Sequence, residues 1–183
     1  ERGAAAKSSR RTPGHEILVG ILADKERCAL GRIYRLLGLR FPEHRFGDIY
    51  RSIESNQKTH RATAVELTRG LLKPPLRDVV VGLAEDTDDE ARLASGAEFR
   101  PEVPDDYEEL IVSLLSSTSS VVRDVAAYHA AELHLSSAEP VLEAASHAAN
   151  ATADIVRALD VLRGAPSLRG IAFPPAPSSI RAG

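Results

Sequence analysis

Arg61, Arg92 and Arg123 stand 31 residues apart, each just after a polar turn and near the start of a helical pattern. The same interval carries Ile49 onto Val80, Ile111 and Leu142, and Tyr50 onto Val81 and Val112. Ala64, Ser95 and Ala126 align as small residues in the second helix of each unit. A fixed period of about 20 to 50 residues marks a chain assembled from repeated supersecondary units. A helix pair cannot bury its apolar stripe alone, so neighbouring pairs must pack together. The register therefore predicts three helix pairs, with partial units at each end.

Apolar residues at helical spacing fill in the rest. Ile17, Leu18, Ile21 and Leu22 form one stripe, and Ile33, Leu36, Leu37 and Leu39 continue it until Pro42 forces a break after Arg40-Phe41. Ile49, Tyr50 and Ile53 mark the next helix, and Asn56-Gln57-Lys58-Thr59 a polar turn with Thr59 as the expected N-cap. A helix from Ala62 to Leu72 is stopped by Pro74-Pro75. Val79 to Leu83 is followed by the acidic cap Asp86-Thr87-Asp88-Asp89. Asp105 or Asp106 caps a helix through Leu110, Ile111, Leu114 and Leu115, and Val121 to Leu133 is helical after the turn Ser116 to Ser120. The middle unit, residues 76–99, is degenerate: it contains Gly96 and few large apolar residues, which predicts a short or irregular second helix.

Composition agrees with helices. Aromatics make up 4% of 183 residues, with no Trp, so a core must come from Leu, Val, Ile and Ala. Ala and Leu favour helices, whereas sheets draw on aromatic and β-branched residues. Residues 1–14 are small, polar and basic and are expected to be a flexible linker. The helical domain is expected over 15–163, and residues 164–183, with Pro166, Pro174, Pro175 and Pro177, read as an extended tail. The chain begins at Glu1 and contains no Met, which suggests a processed chain or a piece of a longer protein.

The segments Asp48-Ile-Tyr-Arg-Ser-Ile-Glu-Ser with Thr59-His-Arg-Ala-Thr-Ala-Val-Glu-Leu, and Leu110-Ile-Val-Ser-Leu-Leu with Val121-Val-Arg-Asp-Val-Ala-Ala-Tyr-His-Ala-Ala-Glu-Leu, resemble HEAT repeats. Val122-Arg123 matches that family's Val-Arg pair, while His60-Arg61 and Ala91-Arg92 keep only the Arg. The resemblance covers roughly residues 15–163 and implies an all-α, right-handed α-solenoid of about four to five helix pairs. An irregular all-α bundle is the alternative. On the resemblance, Arg61, Arg92 and Arg123 are repeat-structural residues that bond an acid or carbonyl of a neighbouring unit. A narrower likeness, carried by Arg32-Ile-Tyr-Arg-Leu-Leu-Gly-Leu, Asp48-Ile-Tyr and Arg61-Ala-Thr-Ala-Val-Glu-Leu, is similar to the HEAT-like region fused to bacterial proteins related to ATP/ADP carriers. It implies a membrane domain outside this chain, with the chain as its soluble appendage.

No phosphate loop, dinucleotide fingerprint, nucleophile elbow or zinc-protease motif occurs. His129 and His134 are five apart and do not share a helix face, so His15, His44, His60, His129, His134 and His147 are expected on surfaces or satisfied in the core. Asp86-Thr87-Asp88-Asp89-Glu90 fails as a calcium loop, because Ala91 and Ala97 stand where Gly and Glu are needed. Glu108-Glu109 and Glu85-Asp86 are adjacent acids that point apart. Cys28, beside Ala29 and Leu30, is expected to be a buried structural thiol. No enzyme, metal or cofactor is expected.

Charge is uneven. Residues 1–77 hold 16 Lys/Arg against 8 acids (+8), residues 78–109 hold 2 against 12 (−10), and residues 110–183 hold 5 against 6 (−1). That is either a set of solvated helix faces or a two-sided field that steers a partner. Arg32, Arg35, Arg40, Arg45 and Arg51 are the candidate partner surface. Nucleic acid is disfavoured, since it would want more charge with interleaved aromatics. The expected function is a non-enzymatic protein-interaction or scaffolding module that binds a helix or extended peptide, located in the cytoplasm or at the cytoplasmic face of a membrane. The alternative is a domain that senses an anion or nucleotide through Arg side chains between units. No signal-peptide core or stretch of about 20 apolar residues is present.

Overall fold

The computed structural model describes residues 11–55, 57–99, 104 and 106–165. Most of the expected linker and tail, and the alternative cap Asp105, lie outside them. The described residues form nine α-helices and no strand. In chain order these are α1 (Pro13–Arg40), α2 (Phe46–Ile53), α3 (Lys58–Leu71), α4 (Leu76–Ala84), α5 (Asp89–Ser95), α6 (Tyr107–Leu114), α7 (Ser120–Glu132), α8 (Glu139–Ser146) and α9 (Ala153–Leu162). No described helix is long and apolar enough to cross a membrane.

The repeat register is visible in the helices. The second helices of three pairs, α3, α5 and α7, begin at Lys58, Asp89 and Ser120, again 31 residues apart. Ile49, Val80, Ile111 and Leu142, aligned by the same interval, are all buried. Ala64 and Ala126 are buried at 1% and 0% exposure, and Ser95 is half-buried.

Capping sets the helix starts. Asp106 accepts the backbone N–H of Glu108 and Glu109, Asp88 that of Ala91, and Thr152 that of Ile155. Thr59 is not a cap: α3 starts one residue earlier at Lys58, after Gln57, and Thr59 lies inside its first turn. α1 begins at Pro13, within the stretch expected as linker. Pro suits the first helical position because it lacks an N–H that would go unsatisfied there. Thr12 Oγ1 accepts the His15 N–H at 3.2 Å and closes that turn.

The chain divides into two compact units, Asp24–Glu102 and Glu1–Ala23 with Val103–Gly183. In the Asp24–Glu102 unit α2 packs on α3, α3 on α4 and α4 on α5. Its core gathers Tyr34, Leu37, Phe46, Ile53, Val65 and Val81 around Ile49 and Val80. Much of the chain's small aromatic complement sits here, with Tyr34 and Phe46, and Phe41 and Phe46, at 6.2 Å between ring centroids. α5 is the expected irregular helix: seven residues, none buried, followed by a 3-10 turn at Ala97–Phe99.

In the other unit α7 packs on α6 and α9, and α9 on α8. α7 presents Ala126, Ala127, Ala130 and Ala131 at 0% exposure, and these methyl groups let neighbouring helices approach closely. α7 and α9 end in the same way. After α7, His134 takes φ 52° while the His134 N–H reaches Ala131 O at 3.1 Å and the Leu135 N–H reaches Ala130 O at 3.0 Å. After α9, Gly164 takes φ 100°, with Gly164 N–H to Val161 O at 3.0 Å and Ala165 N–H to Asp160 O at 2.9 Å. Both are Schellman terminations, which place one residue in the left-handed region.

Candidate functional site

The five arginines expected on a partner surface separate into two groups. Arg45 and Arg51 both pair with Asp48 on α2 and are held by it. Arg32, Arg35 and Arg40 lie on the outer side of α1 and have no carboxylate partner among the described residues. Arg32 Nε donates to Cys28 O at 3.4 Å, Arg35 Nε donates to Gly31 O at 3.2 Å, and the Arg40 guanidinium lies 5.0 Å from the centre of the Phe41 ring. These bonds leave the outer guanidinium nitrogens of Arg32 and Arg35 toward solvent. Interleaved with them are Leu36, 65% exposed, and Leu39, 80% exposed.

This face arises from α1's own periodicity. With 3.6 residues per turn, Lys25, Ala29, Arg32, Leu36 and Leu39 line one side, and Leu30, Ile33, Tyr34 and Leu37 face the core. Cys28 falls on the outer side and is exposed, so the expectation of a buried thiol is corrected: position 28 is one turn before Arg32. The apolar residues beside it in sequence misled the reading, since Leu30 turns inward and Ala29 outward.

Beside this face runs a groove of about 320 Å³, lined by Arg27, Cys28, Gly31, Tyr34, Arg35, Gly47, Tyr50 and Glu54. It is bounded by the Tyr50 side chain, which lies against α1. A Cβ at Gly31 would stand 2.9 Å from the Tyr50 hydroxyl oxygen, so Gly is needed there to let the ring approach. The Tyr50 hydroxyl lies 3.0 Å from Arg27 O and 2.8 Å from Glu54 Oε1. Burial, then the adjacent Glu54 carboxylate, pushes its pKa up to about 12, so Tyr50 is a fixed neutral donor and not a base.

The repeat arginines are tied into the fold. Arg61 Nε donates to Ala84 O at 3.2 Å, the last residue of α4. Arg123 donates to Ser117 O at 2.8 Å in the turn before its own helix. Arg92 pairs with Glu26 of α1 at 2.8 Å. A second depression of about 250 Å³ beside Arg61 mixes Lys58 and Arg61 with Glu66, Glu85 and Asp86, so its charges offset one another.

A polar cluster that the sequence reading did not single out ties α1 to α6 and α7. His129, with no exposed surface, has Nδ1 2.9 Å from Thr12 Oγ1 and 3.5 Å from Glu132 Oε2, and Nε2 2.7 Å from the Tyr107 hydroxyl. His15 Nδ1 lies 2.8 Å from the same hydroxyl, and the Gly14 N–H donates to Glu132 Oε2 at 3.0 Å. The Glu132 carboxylate favours the Nδ1 proton on His129, which leaves Nε2 to accept from Tyr107. Burial holds the His129 pKa below its ordinary value against the opposing pull of Glu132. The members come from residues up to 117 apart, so no local motif marks them. His129 is fully buried while Thr12, His15, Tyr107 and Glu132 are half-buried around it, and their mutual hydrogen bonds clamp the start of α1 to α6 and α7. Among the described residues no group of three or more His, Cys, Asp and Glu could hold a metal ion.

No protein-family model, curated protein or solved structure matches this chain.

Proposed function

We propose that the chain is a non-enzymatic protein-interaction or scaffolding module, built as a HEAT-like α-solenoid of helix pairs, whose docking face is the outer side of α1 from Lys25 to Arg40. The repeat reading draws its support from the shared 31-residue interval of buried positions and helix starts. The docking reading rests on one observation: Arg32, Arg35 and Arg40 stand without carboxylate partners among the described residues, beside the exposed Leu36 and Leu39. Unpaired guanidinium groups around exposed leucines fit an acidic, partly apolar protein segment, with charge steering the encounter and the leucines supplying contact area. The anion-sensing alternative has less to draw on, since Arg61, Arg92 and Arg123 already use donors on Ala84 O, Glu26 and Ser117 O. Attachment to a membrane domain, and with it a place at the cytoplasmic face of a membrane, rests on the narrower resemblance alone. The complete gene tests it.

A photo-crosslinking residue placed at Leu39 tests the docking face in the source cell. Adducts should exceed those from the same residue at Glu90 and should vanish when Arg32, Arg35 and Arg40 are all changed to Glu. Equal yields at the two positions, or yields indifferent to the charge reversal, would sink the docking reading.

A further inference from the structure

The outer face of α1 also says what shape of partner it accepts. Lys25, Ala29, Arg32, Leu36 and Leu39 follow one another in alternating steps of four and three residues. That is the spacing of a seam along which one helix packs on another. All five are exposed, and Cys28 and Ala29 are small, so a second backbone can approach closely at that end. Leu36 and Leu39 project where the seam needs knobs. The groove lined by Tyr34, Gly47 and Tyr50 is also lined by Cys28 and Arg35 of this face, and is a hole of a size for a side chain from the partner.

Charge decides between the occupants. Arg32 lies on the seam itself, not at its margin, and so does Lys25. Covering an unpaired guanidinium is costly unless the partner brings a carboxylate. A lipid-bound helix carries its basic residues on the polar side and keeps the centre of its buried face apolar, which is not the order here. An extended peptide would need pockets at a two-residue period, which this face lacks.

Resting on the docking face described above, we propose that its occupant is a single amphipathic helix that lies along Lys25–Leu39, sets carboxylates against Lys25 and Arg32, and seats apolar side chains on Leu36 and Leu39. The test is fluorescence anisotropy with the full chain and three probes. The first is a labelled synthetic helix with Leu at seam positions and Glu facing Lys25 and Arg32. The second is a peptide of the same composition reordered to remove the helical period. The third is a set of phosphatidylcholine vesicles containing phosphatidylserine.

The helical probe should bind saturably, and Arg32→Glu and Leu36→Ser should each weaken it about tenfold or more. A probe with Lys in place of the facing Glu should recover binding to Arg32→Glu. Both substituted side chains are exposed, and circular dichroism melts verify that the fold is kept. Binding of the reordered peptide as tight as that of the helix overturns the helical occupant and leaves the docking face standing. Binding to vesicles alone overturns a protein occupant. Helix binding that is indifferent to both substitutions moves the site off this face, and no binding by any probe removes the proposal and the docking reading together.

Discussion

The Tyr34 hydroxyl lies 3.0 Å from Thr68 Oγ1 in the core of the Asp24–Glu102 unit, and the proton between them belongs to Tyr34. Thr68 donates its own to Ala64 O, 2.9 Å away, so its oxygen is left to accept. Both side chains are fully buried, and burial raises the Tyr34 pKa, keeping the hydroxyl neutral. The two halves of the bond are therefore unequal. Tyr34→Phe removes a donor from an oxygen whose own hydrogen bond survives, at a cost of about 0.5–1.5 kcal/mol. Thr68→Val strands a buried donor and should cost more, about 1–3 kcal/mol. Denaturant unfolding of the two variants measures the difference, and equal losses would reverse the assignment of the proton.

Acid should loosen the other unit through His129. Its folded pKa is depressed, so the unfolded chain takes up the proton more readily. The contribution is present in full above the ordinary histidine value of about 6.5 and is lost as pH falls toward and through the folded pKa. Thermal melts stepped downward from neutral pH should show a falling Tm below that value. His129→Gln retains a hydrogen-bonding side chain without a titratable ring, and its profile should be flatter over the same window. A variant as steep as the parent would assign the loss to other groups.

The two classes of arginine should part in stability measurements. Arg61→Ala and Arg123→Ala each leave a backbone carbonyl without its donor from a half-buried side chain, at about 1 kcal/mol. Arg32→Ala, Arg35→Ala and Arg40→Ala remove exposed groups with no ion pair among the described residues and should change stability by no more than about 0.5 kcal/mol. A large loss at any of the three would mean it holds the fold together and is not reserved for a partner.

Opposite substitutions at the ends of α7 and α9 should have opposite signs. His134 occupies the left-handed position with a side chain that L residues hold there at a cost of about 1–2 kcal/mol. His134→Gly should raise stability by about 0.5–1 kcal/mol after the entropic penalty of glycine is subtracted. Gly164→Ala, at φ 100°, should lower it by at least 1 kcal/mol in order of magnitude. Paired denaturation curves decide it, and a gain from Gly164→Ala would contradict the termination described.

The all-helical class and the 31-residue interval could be read from the chain because they are periodic. Ile49, Val80, Ile111 and Leu142 repeat an apolar environment at a constant interval, and all four are buried. The helix starts shifted by one or two residues where the expected cap was wrong, as at Thr59. What could not be read is aperiodic. Thr12 meets His129 across 117 residues, and neither residue type announces the contact. Cys28 was misjudged from its sequence neighbours, which on a helix point to different sides. Five arginines could be named from the sequence, but not that Asp48 pairs with two of them while Arg32, Arg35 and Arg40 have no carboxylate partner among the described residues.

The seven residues of α5 bury no side chain. Such a segment places little demand on its own sequence beyond Asp88, whose carboxylate caps it, Arg92, which reaches Glu26, and Ser95, which lies close against Gly82 of α4. Among the described residues it is a stretch open to drift, and its exposed positions are a natural place to splice in a tag or reporter without disturbing either core.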